Sequence, residues 1–85
     1  MIILAACSKA FYKPTEANAL KNGFTLTELE QGRKLYTSKC FICHKLHAPT
    51  SRDSEAWVNV LDMMQPKAKI NDEERRLIYQ YLISE

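Results

Sequence analysis

Apolar residues recur at helical spacing in three stretches of the chain. In the first, Leu29, Gly32 and Tyr36 fall at positions i, i+3 and i+7, which places them on one face of a helix. Thr27 is the predicted cap of this helix, because the acidic residues that follow it suit the positive end of the helix dipole. We expect the helix to run to about Ser38, just before a pair of cysteines.

A second helix is predicted to start after Asp53 or Ser54. Pro66 is predicted to end it, because a proline pushes the preceding residue out of the helical region. The apolar side of this helix consists of Ala56, Trp57, Val60, Leu61 and Met64.

The third helix is predicted to begin at Asn71, with Glu74 three residues on as in a capping box. Its buried stripe is expected to be Leu77, Ile78, Tyr81 and Leu82. Only two glycines occur and strand-like alternation of β-branched residues is scarce. The pattern therefore predicts an all-α fold with three main helices joined by loops.

Residues 8–23 show no sustained periodicity and hold Lys9, Lys13 and Pro14. We interpret them as a tether, with a loose terminus of no function as the alternative. The folded domain is predicted to span residues 24–85, which is near the lower limit for a chain that folds on its own core.

Charge excludes some classes of protein. The formal net charge is +2, which is too weak to indicate a nucleic-acid surface. Residues before Phe24 include three lysines and one glutamate, so the predicted domain itself is neutral. No apolar run approaches the ~18 residues that a membrane-spanning helix needs.

The informative motif is Cys40-Phe41-Ile42-Cys43-His44. Two thiols at this spacing can each add to a vinyl group of one haem, and the following histidine can then bind the iron. Two alternatives remain open. One is a redox dithiol, which normally follows a strand that this sequence lacks. The other is a zinc site that adds His47, although four ligands within eight residues leave little chain to surround the metal.

The motif extends into a wider resemblance. Gly32-x-x-x-Tyr36-x-x-x-Cys40-x-x-Cys43-His44 resembles the first helix and haem motif of class I cytochromes c, and Ile78-x-x-Tyr81-Leu82 resembles their last helix. The resemblance extends from about Phe24 to Ser84, and only the cysteine–histidine motif is specific by itself. It implies a small cytochrome c fold around one covalently bound haem c. A glycine at position 32 would let two helix backbones approach closely.

The resemblance also suggests the second axial ligand. Trp-x-x-Val-Leu-x-x-Met before a loop and a final helix indicates Met64, which shares a helix face with Trp57 and Val60. Met63 shares a face with Val60 as well, so periodicity alone does not choose between the two. His47 lies three residues beyond His44, on the same side of the ring, and is expected to be a solvated loop residue.

Two further residues are candidates around the haem. By resemblance, the carbonyl of Pro49 would accept the second N–H of the His44 ring and so fix its orientation. The family usually has a longer, glycine-rich loop at this point. Trp57 is expected either to donate to a haem propionate or to belong to the core.

At the N-terminus, Leu4-Ala5-Ala6-Cys7 resembles a bacterial lipobox, in which cleavage leaves the cysteine as a lipidated first residue. We interpret residues 1–7 as the end of a lipoprotein-type signal, although no basic residue precedes Cys7. The alternative is a short apolar tail with a free thiol. Lipidation would place the domain on the periplasmic or outer side of the bacterial envelope, anchored to a membrane by lipid alone.

Together these features predict a one-electron carrier with His44 and Met64 as axial ligands. No acid–base or nucleophile constellation accompanies the motif, so an enzyme is not expected. The expected partners are redox proteins and the expected state is a monomer. One alternative is a haem-based sensor or binding module with a weak or open sixth site, and another is a haem domain cut from a larger oxidoreductase.

Overall fold

The computed structural model describes residues 12–40 and 49–85. Within them lie four α-helices and no strand: α1 (Glu16–Asn22), α2 (Leu26–Leu35), α3 (Ser54–Ala68) and α4 (Asp72–Ile83). A π-helical turn (Tyr36–Cys40) extends α2, and a 3-10 turn (Pro49–Ser51) precedes α3. The predicted all-α class is confirmed. Across these two ranges, the structure contains no helix with the length and apolar character to cross a membrane.

Helix α2 begins two residues earlier than predicted. Its cap is Thr25, because Glu28 lies three residues on and closes a capping box. The Glu28 N–H donates to Thr25 Oγ1, and the Thr25 N–H donates to Glu28 Oε1, both at 3.1 Å. Thr27, the predicted cap, therefore lies inside the helix. The cap of α4 is Asn71, paired with Glu74 as predicted.

Helix α3 begins after Asp53, whose side chain accepts from the Ala56 N–H at 2.8 Å. The prediction that Pro66 ends the helix is wrong, since α3 continues to Ala68. Pro66 stands in the last turn, where it removes a single backbone hydrogen bond. The helix ends instead at Lys69, which adopts a left-handed conformation (φ 58°) and donates its N–H to the Gln65 carbonyl.

Helices α2 and α4 cross in close contact at Gly32. A Cβ atom added at Gly32 would lie 2.0 Å from the carbonyl oxygen of Leu77 and 2.9 Å from the Cβ of Tyr81. The two backbones touch at this point, so only glycine fits there. The close approach expected at position 32 is confirmed.

Core side chains from three helices converge beside this crossing. Leu29 and Ile78 are fully buried, and Tyr36 is 4% exposed. Helix α3 contributes its buried positions at helical spacing: Trp57, Leu61, Met64 and Ala68. The predicted stripe of α4 is buried as a whole: Leu77, Ile78, Tyr81 and Leu82.

The structure differs from the expected tether over residues 8–23. Residues 16–22 form α1, with a complete capping box between Thr15 and Asn18 and a left-handed Gly23 at the end (φ 75°). Ala19 of α1 is 1% exposed. Part of the stretch interpreted as a tether is therefore folded, and the domain begins before Phe24. The predicted signal, residues 1–7, lies outside the described residues.

The N-terminal segment (residues 12–22) is held against the end of α4. The rings of Tyr12 and Tyr81 stack with centroids 4.6 Å apart and an interplanar angle of 4°. Each hydroxyl donates to the backbone carbonyl of the other tyrosine. Asn18 Nδ2 adds a hydrogen bond of 3.0 Å to the carbonyl of Ser84. Burial raises the pKa of both tyrosine hydroxyls above the ordinary value.

Candidate functional site

The π-helical turn at the end of α2 carries the backbone to Cys40. Two hydroxyls bond back to the preceding turn: Thr37 Oγ1 donates to the Arg33 carbonyl at 3.0 Å, and Ser38 Oγ to the Lys34 carbonyl at 2.8 Å. Such back-bonding satisfies carbonyls that a regular helix would pair with N–H groups, and it bends helices. The sequence signal for this turn is the adjacent Thr37-Ser38 pair, which the helical pattern alone did not identify.

The other members of the motif, Cys43 and His44, lie outside the described residues. The same holds for His47 and for Cys7. The structure therefore positions the start of the motif in the fold and leaves its side-chain geometry undescribed. Within residues 12–40 and 49–85 there is no group of three or more His, Cys, Asp or Glu side chains that could hold a metal ion.

Trp57 and Pro49 are brought together. The indole Nε1–H donates to the Pro49 carbonyl at 2.8 Å, and both residues are buried. Of the two roles expected for Trp57, the structure shows the core position: the side chain is buried and its single N–H donates to a backbone carbonyl. The Pro49 carbonyl, expected to accept from His44, accepts from Trp57; a carbonyl oxygen has two lone pairs, and His44 lies outside the described residues, so the predicted bond from His44 stays a prediction. The signal that could have suggested this bond is the rule that a buried indole N–H finds an acceptor nearby.

The two candidate methionines differ sharply in environment. Met64 is 9% exposed and lies on the buried face of α3, seven residues after Trp57. Met63 is 60% exposed. Only Met64 therefore offers a thioether on the interior side of α3, which periodicity did not decide.

Aromatic rings connect the end of α2 to α3. Tyr36 and Trp57 meet edge to face, with centroids 6.0 Å apart and an interplanar angle of 86°. On the outer side, the guanidinium carbon of Arg52 lies 5.2 Å from the centroid of the Trp57 ring, a cation–π contact. Arg52 was not singled out by the sequence, because its loop carries no helical or motif pattern.

Arg52 also borders an open cleft of about 400 Å³, which is formed between the start of α3 and the end of α4. Its other lining residues include Pro49, Asp53, Leu82 and Glu85. The guanidinium of Arg52 and the carboxylates of Asp53 and Glu85 therefore line one cleft. Farther away on the surface, Arg76 pairs with Glu28 and Glu73. The backbone N–H of Thr25 and then Arg76 lower the pKa of Glu28.

The donor set is consistent with a covalently attached haem. Cys40 ends the extension of α2, the next residues supply the second cysteine and a histidine, and α3 carries a buried thioether. Thiols, imidazole and thioether are the groups that hold haem c. The tyrosine and tryptophan rings add an apolar wall that would exclude water.

No protein-family model, no curated protein and no solved structure gives a significant match to this chain. The residues and their arrangement are therefore the basis for any functional assignment.

Proposed function

We propose that this protein is a one-electron carrier of the class I cytochrome c type, with haem c attached at Cys40 and Cys43. His44 and Met64 would be the axial ligands. The observation that carries the proposal is the position of Cys40 at the end of the turn that extends α2, immediately before Cys43-His44. The spacing of these three residues is the established signal for haem attachment.

The burial of Met64 supports the electron-transfer form of the proposal. A thioether is a soft and neutral ligand that raises the reduction potential relative to a second histidine. With both axial positions occupied by side chains, small ligands would find no open site. The exposure of Met63 makes it the weaker candidate.

The rigid crossing of α2 and α4 supports the proposal. Because α2 is fixed on α4 at Gly32, the residues that follow α2 begin from a defined position. Tyr36, just after α2, meets Trp57 of α3 edge to face, and both side chains are buried. When bound, the haem would supply a reversible one-electron change at iron, and these residues would hold it with little movement.

We further propose that Cys7 is lipidated and that the protein works on the outer side of a bacterial membrane, with redox proteins as partners. The basis is Leu4-Ala5-Ala6-Cys7. Replacing Cys7 with alanine in the full precursor should abolish lipid labelling and release the protein from membranes. Unchanged labelling and fractionation would contradict lipidation while leaving the haem proposal intact.

The test of haem attachment is the intact mass of denatured protein after expression with a haem-attachment system. We expect the polypeptide mass plus one haem, and the Cys40→Ser, Cys43→Ser double variant should lose it. A mass equal to the bare chain, or to the chain plus zinc, would refute the proposal. A haem-loaded wild type that readily binds carbon monoxide when reduced would favour the sensor alternative over the electron carrier.

A further inference from the structure

The end of α3 (residues 62–68) has a weaker backbone than a regular helix. Pro66 has no N–H to donate to the Asp62 carbonyl, so one hydrogen bond of the helix is missing there. The helix nevertheless continues to Ala68, and Met64 lies within this stretch with 9% of its surface exposed. Contacts from outside the helix can compensate for the missing bond.

Gln65 makes such contacts with both ends of its side-chain amide. Its Nε2 donates to the Ile70 carbonyl at 3.3 Å and to Asp72 Oδ1 at 2.9 Å. Its Oε1 accepts from Arg75 Nη1 at 3.1 Å. The backbone carbonyl of Gln65 also accepts the N–H groups of Lys69 and Ile70. Gln65 therefore connects the end of α3 to the turn that follows it and to the start of α4.

Arg75 of α4 contacts the same side of α3 at two further points. Its guanidinium donates to the Val58 carbonyl at 3.4 Å and pairs with Asp62 at 2.7 Å. Val58, Asp62 and Gln65 are four and three residues apart, which places them along one side of the helix. The Arg75 side chain is 24% exposed, so its ion pair is partly shielded from solvent.

Met64 belongs to the neighbouring, buried side of α3. Each position that Arg75 contacts directly follows a buried position of this helix, namely Trp57, Leu61 or Met64. Because Gln65 follows Met64 in the chain and is held through three of its polar atoms, the backbone at Met64 is held as well. The hydrogen bonds thus act on the backbone that carries the thioether.

We propose that Gln65, held by Arg75, is the positioning residue that keeps the Met64 thioether at the haem iron. The inference rests on the proposed function, since it takes Met64 as the axial ligand. A methionine side chain has three rotatable bonds and makes no strong hydrogen bond of its own. Its backbone must therefore be fixed by other residues, as metal ligands commonly are. Without Gln65, the missing hydrogen bond at Pro66 would let the end of α3 move away from the ring.

The test compares Gln65→Leu with Thr25→Ala in the full haem-loaded chain. Gln65→Leu keeps most of the volume and removes the side-chain hydrogen bonds. Thr25→Ala removes the cap of another helix, α2, and has a cost in stability of the same order. We expect carbon monoxide to bind the reduced Gln65→Leu protein about ten-fold faster than the wild type, because the gas binds only when Met64 leaves the iron. Thr25→Ala should bind it at the wild-type rate.

Two further readouts separate positioning from a general loss of stability. On warming below the unfolding transition, the far-red sulfur-to-iron band should fade in Gln65→Leu and persist in Thr25→Ala. Amide hydrogens of residues 62–68 should exchange about ten-fold faster in Gln65→Leu, with those of α2 unchanged. Thr25→Ala should show the reverse pattern of exchange.

Arg75→Met removes the contact from the α4 side and supplies the same test if Gln65→Leu does not load with haem. It should speed carbon monoxide binding by at least about three-fold. Because the two residues act through one contact, the double variant should show less than the product of the two single effects. A full product would overturn the part assigned to Arg75.

Failure of this inference differs from failure of the proposed function. If the loaded wild type lacks the far-red band, or keeps it in Met64→Ala, the proposed ligation fails and this inference fails with it. If Met64 is confirmed as the ligand but Gln65→Leu and Thr25→Ala bind carbon monoxide at equal rates, this inference alone is overturned.

Discussion

The α2/α4 crossing and the packing of α3 are held by different kinds of contact. At the crossing, backbone meets backbone, with no room for a Cβ atom at Gly32. Helix α3 is held by side chains: Trp57 and Leu61 in the core, and Arg75, which donates to Gln65 and pairs with Asp62 at 2.7 Å. The crossing therefore tolerates no change of volume, whereas α3 can adjust by changing rotamers.

This difference would suit the proposed attachment of haem to the finished chain. A rigid crossing fixes where the cysteine motif starts. A helix held by side chains, with the flexible thioether of Met64 on its inner face, can adapt to a bound ring. In the proposed haem protein, α2 and α4 would fix the start of the cysteine motif, and α3 would form the wall that adapts to the ring.

The largest effect is expected at the crossing. Gly32→Val should lower the free energy of unfolding by at least about 3 kcal/mol, because the added atoms overlap the Leu77 backbone and cannot be relieved by a rotamer change. Urea unfolding followed by circular dichroism measures this. The control is Glu30→Val, an exposed position of the same helix, which should change stability by less than about 0.5 kcal/mol. Similar losses in the two variants would show that the crossing is not the rigid element.

A smaller effect on stability is expected at the methionines of α3. Met64→Ala should cost about 2 kcal/mol through the cavity it leaves in the core, and Met63→Ala less than about 0.5 kcal/mol. In the haem-loaded protein, Met64→Ala should also abolish the far-red sulfur-to-iron band, lower the reduction potential and open the iron to carbon monoxide. Met63→Ala should leave these three properties unchanged. The reverse pattern would make Met63 the ligand.

The smallest effect is expected where the N-terminal segment contacts α4. Burial raises the pKa of Tyr12 and Tyr81 above their usual 10.0, so the folded state keeps protons that the unfolded state releases. Their contribution is therefore complete below pH 10 and is lost as the pH rises further. Tyr12→Phe should cost about 1 kcal/mol at neutral pH by removing one hydrogen bond, and should flatten the alkaline loss. Urea titrations at neutral and alkaline pH test this, with Tyr79→Phe as the control. If the free energy of unfolding falls as steeply at alkaline pH in Tyr12→Phe as in the wild type, the contact between Tyr12 and Tyr81 is not the source of that loss.

Features set by neighbouring residues were predictable from the sequence. The start of α4 at Asn71 follows from its capping box, and the burial of Ile78 and Tyr81 follows from helical spacing. Gly32 was identified through a resemblance, and its physical reason became visible as a contact with Leu77. The cap of α2 was predicted at Thr27, whereas it is Thr25. The three-residue spacing of Thr25 and Glu28 is that of a capping box and could have indicated this.

Features that depend on distant residues were not predictable. Helix α1 is too short to show a period, and its place is set by contacts with Ser84 and Tyr81. Met64 was placed on the apolar side of its helix from the sequence, but helical spacing alone did not exclude Met63, and the exposure of Met63 became visible only from the direction in which α3 faces. The bond from Trp57 to the Pro49 carbonyl needed the path of the loop, which no local pattern encodes.

The stacked pair of Tyr12 and Tyr81 also sets an order of folding events. Their hydrogen bonds join residues 69 positions apart, whereas the capping boxes of α1, α2 and α4 join residues three apart. Closing so long a loop costs roughly 4 kcal/mol of chain entropy before any contact compensates it. We therefore expect the N-terminal segment to dock last and to open first.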